Sequence, residues 1–551
     1  MLKRRPDHFV IGVTCRSLGG VPSNLRSQVW QELLGVARTE RLSLDQSILQ
    51  VEEDLDNQRV IAADAARTRG NEPRFKQPET VELVVKLLTY YCKCRNIRYK
   101  QGMNEVLAPF LLLTEQRDGA QERTPLAEGV VFQCFYALID RFLPHVFVDK
   151  EFRSLQCSFQ LYRLLMLYHD PELCHYLDQH DMTPELYVTP WFMTLFARSL
   201  PPEFVFYLWD FFLLEEDPYL LHFVAYALVA ASREKVFEAD IAMLPQVLSS
   251  LTFSSRDELE RVCADALAIS ELTPKSFKRD LYSVCYGGLT DAMVPFWINL
   301  YPEELVRNLM DRLATKAKEN RIPVPSGMQE EDTSVQDPLN PLFSPASDEA
   351  PLLYSSGNDG DEAAALKFIV LDCRSVEEYH KSHLSLSHHI DPGIMGRPDA
   401  LDGLMKGFSH MKGCHFCFVG PSVDSPSVLP RSSSNNAALN PISHKPIDVQ
   451  VGPEVTGAVP PSSSPPTGPV TLSRKQSPGE PGALASEIGS IGASKVHAEH
   501  ESVTRLVLMF LQKGFKYVSH LDGGFDELEK SIRAMDTFAQ EQLLVSSPMP
   551  L

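Results

Sequence analysis

Apolar residues recur at helical spacing from residue 20 to about residue 315. Leu25, Val29 and Leu33, for example, would line one face of a first helix. No useful run of the alternating pattern that a half-buried strand needs interrupts this region. The pattern therefore predicts an all-helical body over 20–315, with residues 1–19 as an N-terminal extension.

A proline-rich, acidic tract ends the helical pattern. It has few periodic apolar positions, so it is predicted to be a disordered linker. A short apolar strand then opens a second domain, which is interrupted by a long Ser/Pro-rich tract that cannot bury enough apolar surface to order itself. The predicted boundaries are 316–363 for the linker, 364–422 and 499–540 for the two parts of the second domain, 423–498 for the disordered insertion and 541–551 for a tail.

Charge and cysteine content exclude several classes of protein. The formal net charge of −20 over 551 residues leaves no basic surface for nucleic acid, so we expect no nucleic-acid partner. The 11 cysteines do not form clusters at zinc-site spacing, so we expect reduced cytosolic thiols, no metal site and no cofactor. The longest apolar stretch, residues 219–231, is too short to cross a bilayer, and we expect membrane association through partners alone.

Two side chains, Arg67 and Gln101, carry functional groups that another protein can supply to the active site of a GTPase. Arg67 follows Asp64 by three residues and precedes the turn-prone residues 70–73, which predicts a position on a loop, free to reach outward. A guanidinium inserted beside the phosphates stabilises the transition state by about 10³ to 10⁵ in rate. Gln101 lies at the mouth of a buried segment, where its amide can donate to one group, accept from another and so orient a water.

Each of these residues also has a purely structural interpretation. Arg67 could be a surface salt-bridge partner of Asp64 at helical spacing. Gln101 could be a hydrogen-bonded amide in the interior. Taken alone, each residue favours its structural interpretation. The choice between the two interpretations therefore depends on the motifs that surround these residues.

Three short motifs place these residues in a common context: RxxxW, IxxDxxR and YxQ, in that order. Their residues are Arg26, Trp30, Ile61, Asp64, Arg67, Tyr99 and Gln101. Together they resemble the signature motifs of the TBC family of GTPase-activating proteins for Rab GTPases. A later stretch with Trp191, Trp209 and Asp210 resembles the second half of TBC domains.

The resemblance implies a role for each motif residue. Arg67 would be an arginine finger and Gln101 a glutamine finger, both supplied in trans to a GTP-bound Rab. The other motif residues would be structural, with Trp209 in the core and Asp210 a structural partner near the Arg67 region. Such a protein is a GTPase activator rather than an enzyme in itself.

The second domain resembles a rhodanese. The resemblance rests on a strand followed by Asp372 and Arg374, then on His383, and implies structural roles for all three. Val419 lies where a rhodanese places its sulfur-carrying cysteine. Cys417 lies two residues earlier, inside the strand, and alternation places it on the same face as Val419. The loop that would cradle a thiolate is missing after Gly420, so we expect no sulfur transfer.

The combination implies a multidomain protein in which an all-α TBC domain precedes an α/β rhodanese-like domain with a parallel sheet. This architecture resembles that of trafficking proteins that act between endosomes and Golgi. It implies a cytoplasmic protein, peripheral at endosome-derived vesicles or the trans-Golgi network, with golgin-type partners. Relatives of this architecture tend to lack both fingers and to act as bridging adaptors, whereas Arg67 and Gln101 are present here. Two hypotheses therefore remain: a Rab GTPase activator, and a non-catalytic adaptor whose two domains are docking surfaces.

Overall fold

The computed structural model describes residues 8–36, 57–116, 122–286, 297–319, 366–421 and 501–546. The predicted insertion at 423–498 lies outside the described residues, as does most of the predicted linker at 316–363. The description below concerns the residues inside those ranges.

The first part of the described chain is built from helices, as predicted. They are α1 (His8–Ser17), α2 (Arg26–Leu33), α3 (Gln58–Arg67), α4 (Pro78–Arg95), α5 (Met103–Leu112), α6 (Glu128–Phe142), α7 (Arg153–His169), α8 (Pro171–Gln179), α9 (Thr189–Thr194), α10 (Pro202–Glu215), α11 (Leu220–Ala231), α12 (Arg233–Glu238), α13 (Leu244–Ser249), α14 (Arg256–Glu271) and α15 (Lys275–Tyr286). Short 3₁₀ turns lie at Pro73–Lys76, Pro184–Leu186 and Ile241–Met243. A small antiparallel hairpin, β1 (Thr114–Gln116) and β2 (Arg123–Pro125), follows α5.

The described part of the predicted N-terminal extension, residues 8–19, packs on this helical body. Its helix α1 buries Ile11 and Cys15 against the core. Arg16 donates to Glu215 across 2.9 Å and so joins α1 to the end of α10. Ten residues of the predicted extension therefore form a helix that packs on the helical body.

Three tryptophans lie in the helical core, where the sequence predicted them. Trp30 and Trp209 are buried, and each packs on Phe110 at ring-centroid distances of 5.8 and 5.5 Å. Trp191 stacks on Phe196 at 5.2 Å. Such aromatic pairs add to the free energy gained by burial, so they hold α2, α5 and α10 together.

A parallel sheet forms the centre of the second part. Its strands are β3 (Ile298–Leu300), β4 (Phe368–Asp372), β6 (Ser387–His389), β7 (His415–Val419) and β8 (Val518–Leu521), in the order β3-β8-β7-β4-β6. A separate antiparallel pair joins β5 (Ser382–Leu384) to β9 (Leu544–Ser546). The helices around the strands are α16 (Pro302–Glu319), α17 (Val376–Lys381), α18 (Pro398–Phe408), α19 (residues 501–512), α20 (Gly524–Arg533) and α21 (Thr537–Leu543), with 3₁₀ turns at Pro392–Gly396 and Ser409–Met411.

Two predicted boundaries of this domain need correction. The edge strand β3 precedes the predicted linker and helix α16 continues into it as far as Glu319, so the sheet begins before residue 315. At the other end, the predicted tail 541–551 contains β9, which pairs with β5. Both strands have only three residues, too few for an alternating pattern to be visible in the sequence.

Strand β7 has two buried faces. Phe416 and Phe418 lie in the same apolar cluster as the helical domain, whereas Cys417 and Val419 lie in a second cluster with α16 and α20. Because side chains alternate along a strand, this is the pairing that the sequence predicted. A strand covered on both faces is typical of parallel sheets.

The two domains meet at the C-terminal end of α7. The backbone N–H of Tyr517 donates to the carbonyl oxygen of Tyr168 at 2.7 Å, and the Tyr168 hydroxyl is hydrogen-bonded to Nδ1 of His415 at 2.9 Å. The rings of His415 and Tyr517 stack at 4.4 Å. Beside them, Nε2 of His169 lies 2.7 Å from the hydroxyl of Thr273. The sheet domain is thus joined to α7 by both backbone and side-chain contacts.

Acid is expected to weaken this interface. Burial lowers the pKa of His169 to about 3 and that of His415 to about 4, below the ordinary value of 6.5. The unfolded chain therefore binds more protons than the folded chain as the pH falls below 6.5, and each histidine costs up to about 1.4 kcal/mol per pH unit. Stability should be full above pH 6.5 and fall towards pH 4, which denaturant titrations at several pH values would measure.

A variant isolates one of these histidines. His415→Gln keeps an acceptor for Tyr168 but removes the titrating ring, so the slope of stability against pH should become shallower. His410→Gln, at an exposed histidine of the same domain, is the matched control variant. An unchanged slope in His415→Gln would contradict the expectation.

Candidate functional site

Arg67 is the last residue of α3, and its side chain is 62% exposed. The predicted loop position was wrong: the helix continues to Arg67, and the turn begins after it. Its Nη2 atom lies 2.5 Å from Oδ1 of Asp64, three residues earlier. The ion pair expected from the structural interpretation is therefore present, and it fixes the direction in which an exposed guanidinium leaves the surface.

Asp64 also contacts the second motif. Its side chain is 1% exposed, and its Oδ2 atom accepts a hydrogen bond from the Tyr99 hydroxyl at 2.8 Å. Burial, together with this hydrogen bond, raises the pKa of Tyr99, so the hydroxyl stays protonated and remains a donor. A single carboxylate thus holds both Arg67 and Tyr99, which lie 32 residues apart in sequence.

Gln101 is exposed and lies two residues after Tyr99. The alternative of an interior amide was therefore wrong. Gly102 follows with a φ of +112°, and a Cβ there would lie 3.3 Å from Cγ2 of Thr194, so both backbone conformation and close packing favour glycine. This turn ends the loop, and the buried helix α5 begins at the next residue.

Two residues that the sequence reasoning missed complete the network. Thr68 donates to the carbonyl oxygen of Asp64 at 2.7 Å and accepts from Nδ2 of Asn104 at 2.9 Å. Oδ1 of Asn104 accepts from the backbone N–H of Gly102 at 3.1 Å. Asn104 was detectable as a buried polar residue at the start of a strongly apolar helix. The network joins the end of α3 to the residue that follows Gln101.

The first motif forms a different site. Nε and Nη2 of Arg26 donate to both carboxylate oxygens of Asp210 at 2.9–3.1 Å, and Nε1 of Trp30 donates to Oδ1 of Asp210 at 2.6 Å. The Arg26 guanidinium also lies 5.2 Å from the centre of the Phe206 ring. Burial raises the pKa of Asp210 to about 6, although both hydrogen-bond partners act in the opposite direction.

Asp210 was expected to be a structural partner near the Arg67 region, and the partners of its carboxylate are Arg26 and Trp30. The carboxylate that holds Arg67 is that of Asp64. Ile61 is fully buried in α3 and anchors that helix in the core. The motif residues thus form two separate clusters, one at the core and one beside Arg67 and Gln101.

The residues on which the rhodanese resemblance rests make contacts within the sheet domain. Arg374 pairs with Asp372 at 2.6 Å, donates to the carbonyl oxygen of Ser382 at 2.7 Å and lies 3.5 Å from the centre of the Phe525 ring. His383 stacks on Tyr379 at 4.0 Å. All of these contacts are internal to the domain.

Val419 is buried at the end of β7, and the strand end is closed around it. Its carbonyl oxygen accepts from the backbone N–H of Cys373 at 2.8 Å. A Cβ on Gly524 would lie only 2.8 Å from the carbonyl oxygen of Pro421, so the neighbouring loop packs directly against the end of the strand. Burial raises the pKa of the Cys417 thiol, which disfavours a thiolate.

Among the described residues, no helix has the length and apolar character needed to cross a bilayer. Within the same ranges, no group of three or more His, Cys, Asp or Glu side chains is arranged to hold a metal ion.

Comparison with known proteins identifies the helical part. Residues 23–237 match the model of the Rab-GTPase-TBC domain family. This part of the chain is a TBC domain. The match includes all three sequence motifs.

Several curated proteins are similar over larger regions. The TBC domain-containing protein kinase-like protein of Gallus gallus is 22% identical over 377 residues, which cover 67% of this chain and 39% of the relative. Its counterpart in Dictyostelium discoideum is 28% identical over 263 residues, which cover 46% of this chain and 24% of the relative. An alignment of 377 residues is longer than the TBC domain, so the similarity to the first relative extends beyond it. The chain spans well under half the length of both relatives.

Two solved structures are similar to about half of the chain. The Ypt/Rab-GAP domain of Gyp1p aligns with a TM-score of 0.40 and 17% identity, covering 48% of this chain and 92% of that domain. The TBC domain of the Chlamydomonas flagellar RabGAP aligns with a TM-score of 0.36 and 20% identity, covering 47% of this chain and 84% of that domain.

Proposed function

We propose that the TBC domain is a GTPase activator for a GTP-bound Rab, with Arg67 and Gln101 as the residues it supplies in trans. The observation that carries this proposal is the shared carboxylate of Asp64, which holds Arg67 through one oxygen and Tyr99 through the other. Asp64 is thus a buried anchor for the exposed side chain of Arg67 and, through Tyr99, for the segment that carries exposed Gln101.

Arg67 suits the role of stabilising negative charge. A guanidinium carries five N–H donors in a planar fork, and a single contact to Asp64 leaves most of that fork for phosphate oxygens. Because Asp64 already restricts the side chain, less conformational entropy is lost when the guanidinium enters a nucleotide site. The gain appears in the transition state, where charge spreads over the phosphate oxygens.

Gln101 suits the role of orienting the attacking water. Its amide can accept from the water and donate to a second oxygen, and it needs no change of protonation state to do so. The left-handed conformation of Gly102 and the hydrogen bond from its N–H to Asn104 fix the backbone next to it. Positioning of this kind contributes to catalysis by reducing the entropy lost on reaching the transition state.

The test is single-turnover GTP hydrolysis over a panel of Rab proteins, with and without the full chain. We expect at least one Rab to be accelerated and the acceleration to be lost in Gln101→Ala while the complex with GTP-loaded Rab still forms. If no Rab is accelerated, the proposed activity is wrong.

A second candidate function is that of a non-catalytic trafficking adaptor in which both domains are docking surfaces. The sheet domain favours it, because Val419 at the end of β7 has no thiol that could carry sulfur, and the nearby thiols of Cys373 and Cys417 are buried. The two functions are compatible, since a docking domain can localise an activator. The resemblance to endosome-to-Golgi proteins supports a cytoplasmic location at endosome-derived vesicles or the trans-Golgi network, with golgin-type partners.

The sheet domain is expected to have no thiosulfate sulfurtransferase activity. The persulfide carrier must be a reachable thiolate, whereas burial raises the pKa of both Cys373 and Cys417. A cyanide-dependent assay on the full chain should give the rate of the uncatalysed reaction. Turnover that disappears in Cys417→Ser and persists in Cys94→Ser, which changes an exposed cysteine of the helical domain, would contradict this expectation.

A further inference from the structure

We propose that Lys100 and Arg69 are positioning residues that hold the two finger-bearing segments against distant loops of the TBC domain. This inference rests on the proposed activator function, because each cation is inferred to act by positioning the neighbouring finger residue. Lys100 directly precedes Gln101, and Arg69 follows Arg67 by two residues.

Lys100 is half-buried and contacts the loop before α7, whereas Gln101 is exposed. Its Nζ atom donates to the carbonyl oxygen of Val146 at 3.3 Å and to that of Asp149 at a shorter distance. It also lies 3.7 Å from the centre of the Phe152 ring. An ammonium group has three N–H donors, and Lys100 makes three contacts, all of them with groups of the protein.

The loop that receives Lys100 is itself fixed. The carboxylate of Asp149 accepts from the backbone N–H groups of Glu151 and Ser154 at 3.1 and 3.0 Å. These bonds close the turn in front of α7, where Phe152 has a φ of +55°. Lys100 therefore ties the segment before Gln101 to the N-terminal end of a 17-residue helix, whose other end holds the sheet domain.

Arg69 makes the equivalent connection for the other finger. Its side chain is 11% exposed, and it donates to the carbonyl oxygens of Ala197 and Leu200, the latter at 2.8 Å. Its Nε atom lies 3.3 Å from Glu105, a residue of α5. Arg69 has a φ of +47°, a conformation that few non-glycine residues adopt unless the surrounding contacts impose it.

The turn that receives Arg69 is also constrained. Leu195 and Phe196 both have positive φ values, of 47° and 64°. The carbonyl oxygen of Leu195 accepts from Nε1 of Trp209 at 2.9 Å, which anchors the turn to the core. Arg69 thus connects the segment that follows α3 to this turn.

The same pattern occurs at both fingers: a cation next to the finger donates to two backbone carbonyl oxygens more than 40 residues away. The N–H groups that make these bonds are not available to a phosphate oxygen. Each cation therefore acts through its neighbour, by setting where the backbone of Gln101 or Arg67 lies. A displacement of about 1 Å at a catalytic group can cost on the order of 10² in rate.

A double-mutant cycle on the full chain tests this action. Lys100→Met keeps the aliphatic stem over Phe152 and removes the donors, and we expect it to lower the single-turnover rate by about 10²-fold with little change in affinity for GTP-loaded Rab. In a Gln101→Ala background the same change should have almost no further effect, because the group that Lys100 positions is already absent. Arg69→Met should behave in the same way against Arg67→Ala.

The controls separate positioning from general loss of structure. Lys100→Arg should restore part of the rate, because a guanidinium can also donate to the two carbonyl oxygens. Lys76→Met, at an exposed lysine between the two motifs, should leave the rate unchanged. Full additivity of Lys100→Met with Gln101→Ala would overturn the assignment of Lys100, and the corresponding result would overturn that of Arg69.

Hydrogen–deuterium exchange provides a readout that needs no Rab. In Lys100→Met, the amides of residues 100–103 should exchange at least tenfold faster while those in α11 remain protected. In Arg69→Met, the same acceleration should appear around residues 67–70. Unchanged exchange at these segments would overturn the inference even if hydrolysis were accelerated. If the wild-type chain accelerates no Rab, the activator function fails, and the exchange result alone decides whether the two cations hold their segments.

Discussion

Arg67→Ala is expected to lower Rab-GTP hydrolysis by about 10³-fold or more, in line with an arginine finger supplied in trans. The side chain is exposed and contacts Asp64, so its removal leaves no buried cavity and the domain should remain folded. Its interaction with the nucleotide is strongest in the transition state, because charge moves onto the phosphate oxygens there. The loss should therefore appear in the rate rather than in the affinity for GTP-loaded Rab.

Arg67→Lys should recover little of this rate. An ammonium is a compact charge and cannot form the planar, two-point contact that a guanidinium makes with phosphate oxygens. Arg59→Ala is a matched control, because Arg59 is an exposed arginine near the other end of the same helix. The measurement is single-turnover hydrolysis beside equilibrium binding for each Rab. Equal rates for wild type and Arg67→Ala on an accelerated Rab would exclude the finger role and leave the adaptor function.

The local geometry at Arg67 could be predicted from the sequence only in part. The spacing of Asp64 and Arg67 predicted their ion pair, which is present. The last helical residue was not predictable, since the glycine at residue 70 indicated a turn without showing that α3 would continue through Arg67. The contact between Asp64 and Tyr99 could not be read from the spacing either, because it joins residues on different helices and loops.

The second domain shows the same limit on a larger scale. The alternation along β7 predicted that Cys417 and Val419 share a face, and both lie in one apolar cluster. The edge strand β3 was missed because three residues carry no recognisable period, and because the predicted linker separates it from β4. Periodicity reports which face of an element is buried, whereas the choice of neighbouring strand depends on contacts across the whole chain.

Long-range electrostatic partners were the least predictable feature. Asp210 follows Trp209 in an aromatic stretch, and nothing in that stretch indicates a partner. In the folded domain its carboxylate is held by Arg26 and Trp30, which lie 184 and 180 residues away in sequence. Arg26 and Trp30 share a face of α2 because they are four residues apart, so one buried acid can bind both.

Asp210→Ala is expected to lower the free energy of unfolding by about 3 to 5 kcal/mol, the usual cost of removing one partner of a buried ion pair. The Asp210 and Arg26 side chains are only 4% and 17% exposed, so solvent cannot replace the lost contact well. The variant also leaves Nε1 of Trp30 without its acceptor in a fully buried position. Denaturant titration of the full chain would measure the loss, and Glu203→Ala, at an exposed acid of the same helix, should change stability far less.

The double variant Arg26→Met with Asp210→Leu separates the cost of an unpaired charge from the value of the pair. Replacing both charges by apolar side chains removes the buried charge altogether, so it should be much less destabilising than Asp210→Ala. A loss as large as that of the single variant would show that the ion pair itself stabilises the core. In either variant, the hydrolysis rate per folded molecule should equal that of the wild type, because this cluster is separate from the one that holds Arg67 and Gln101. A rate that fell while the protein remained folded would instead assign Asp210 to the catalytic machinery.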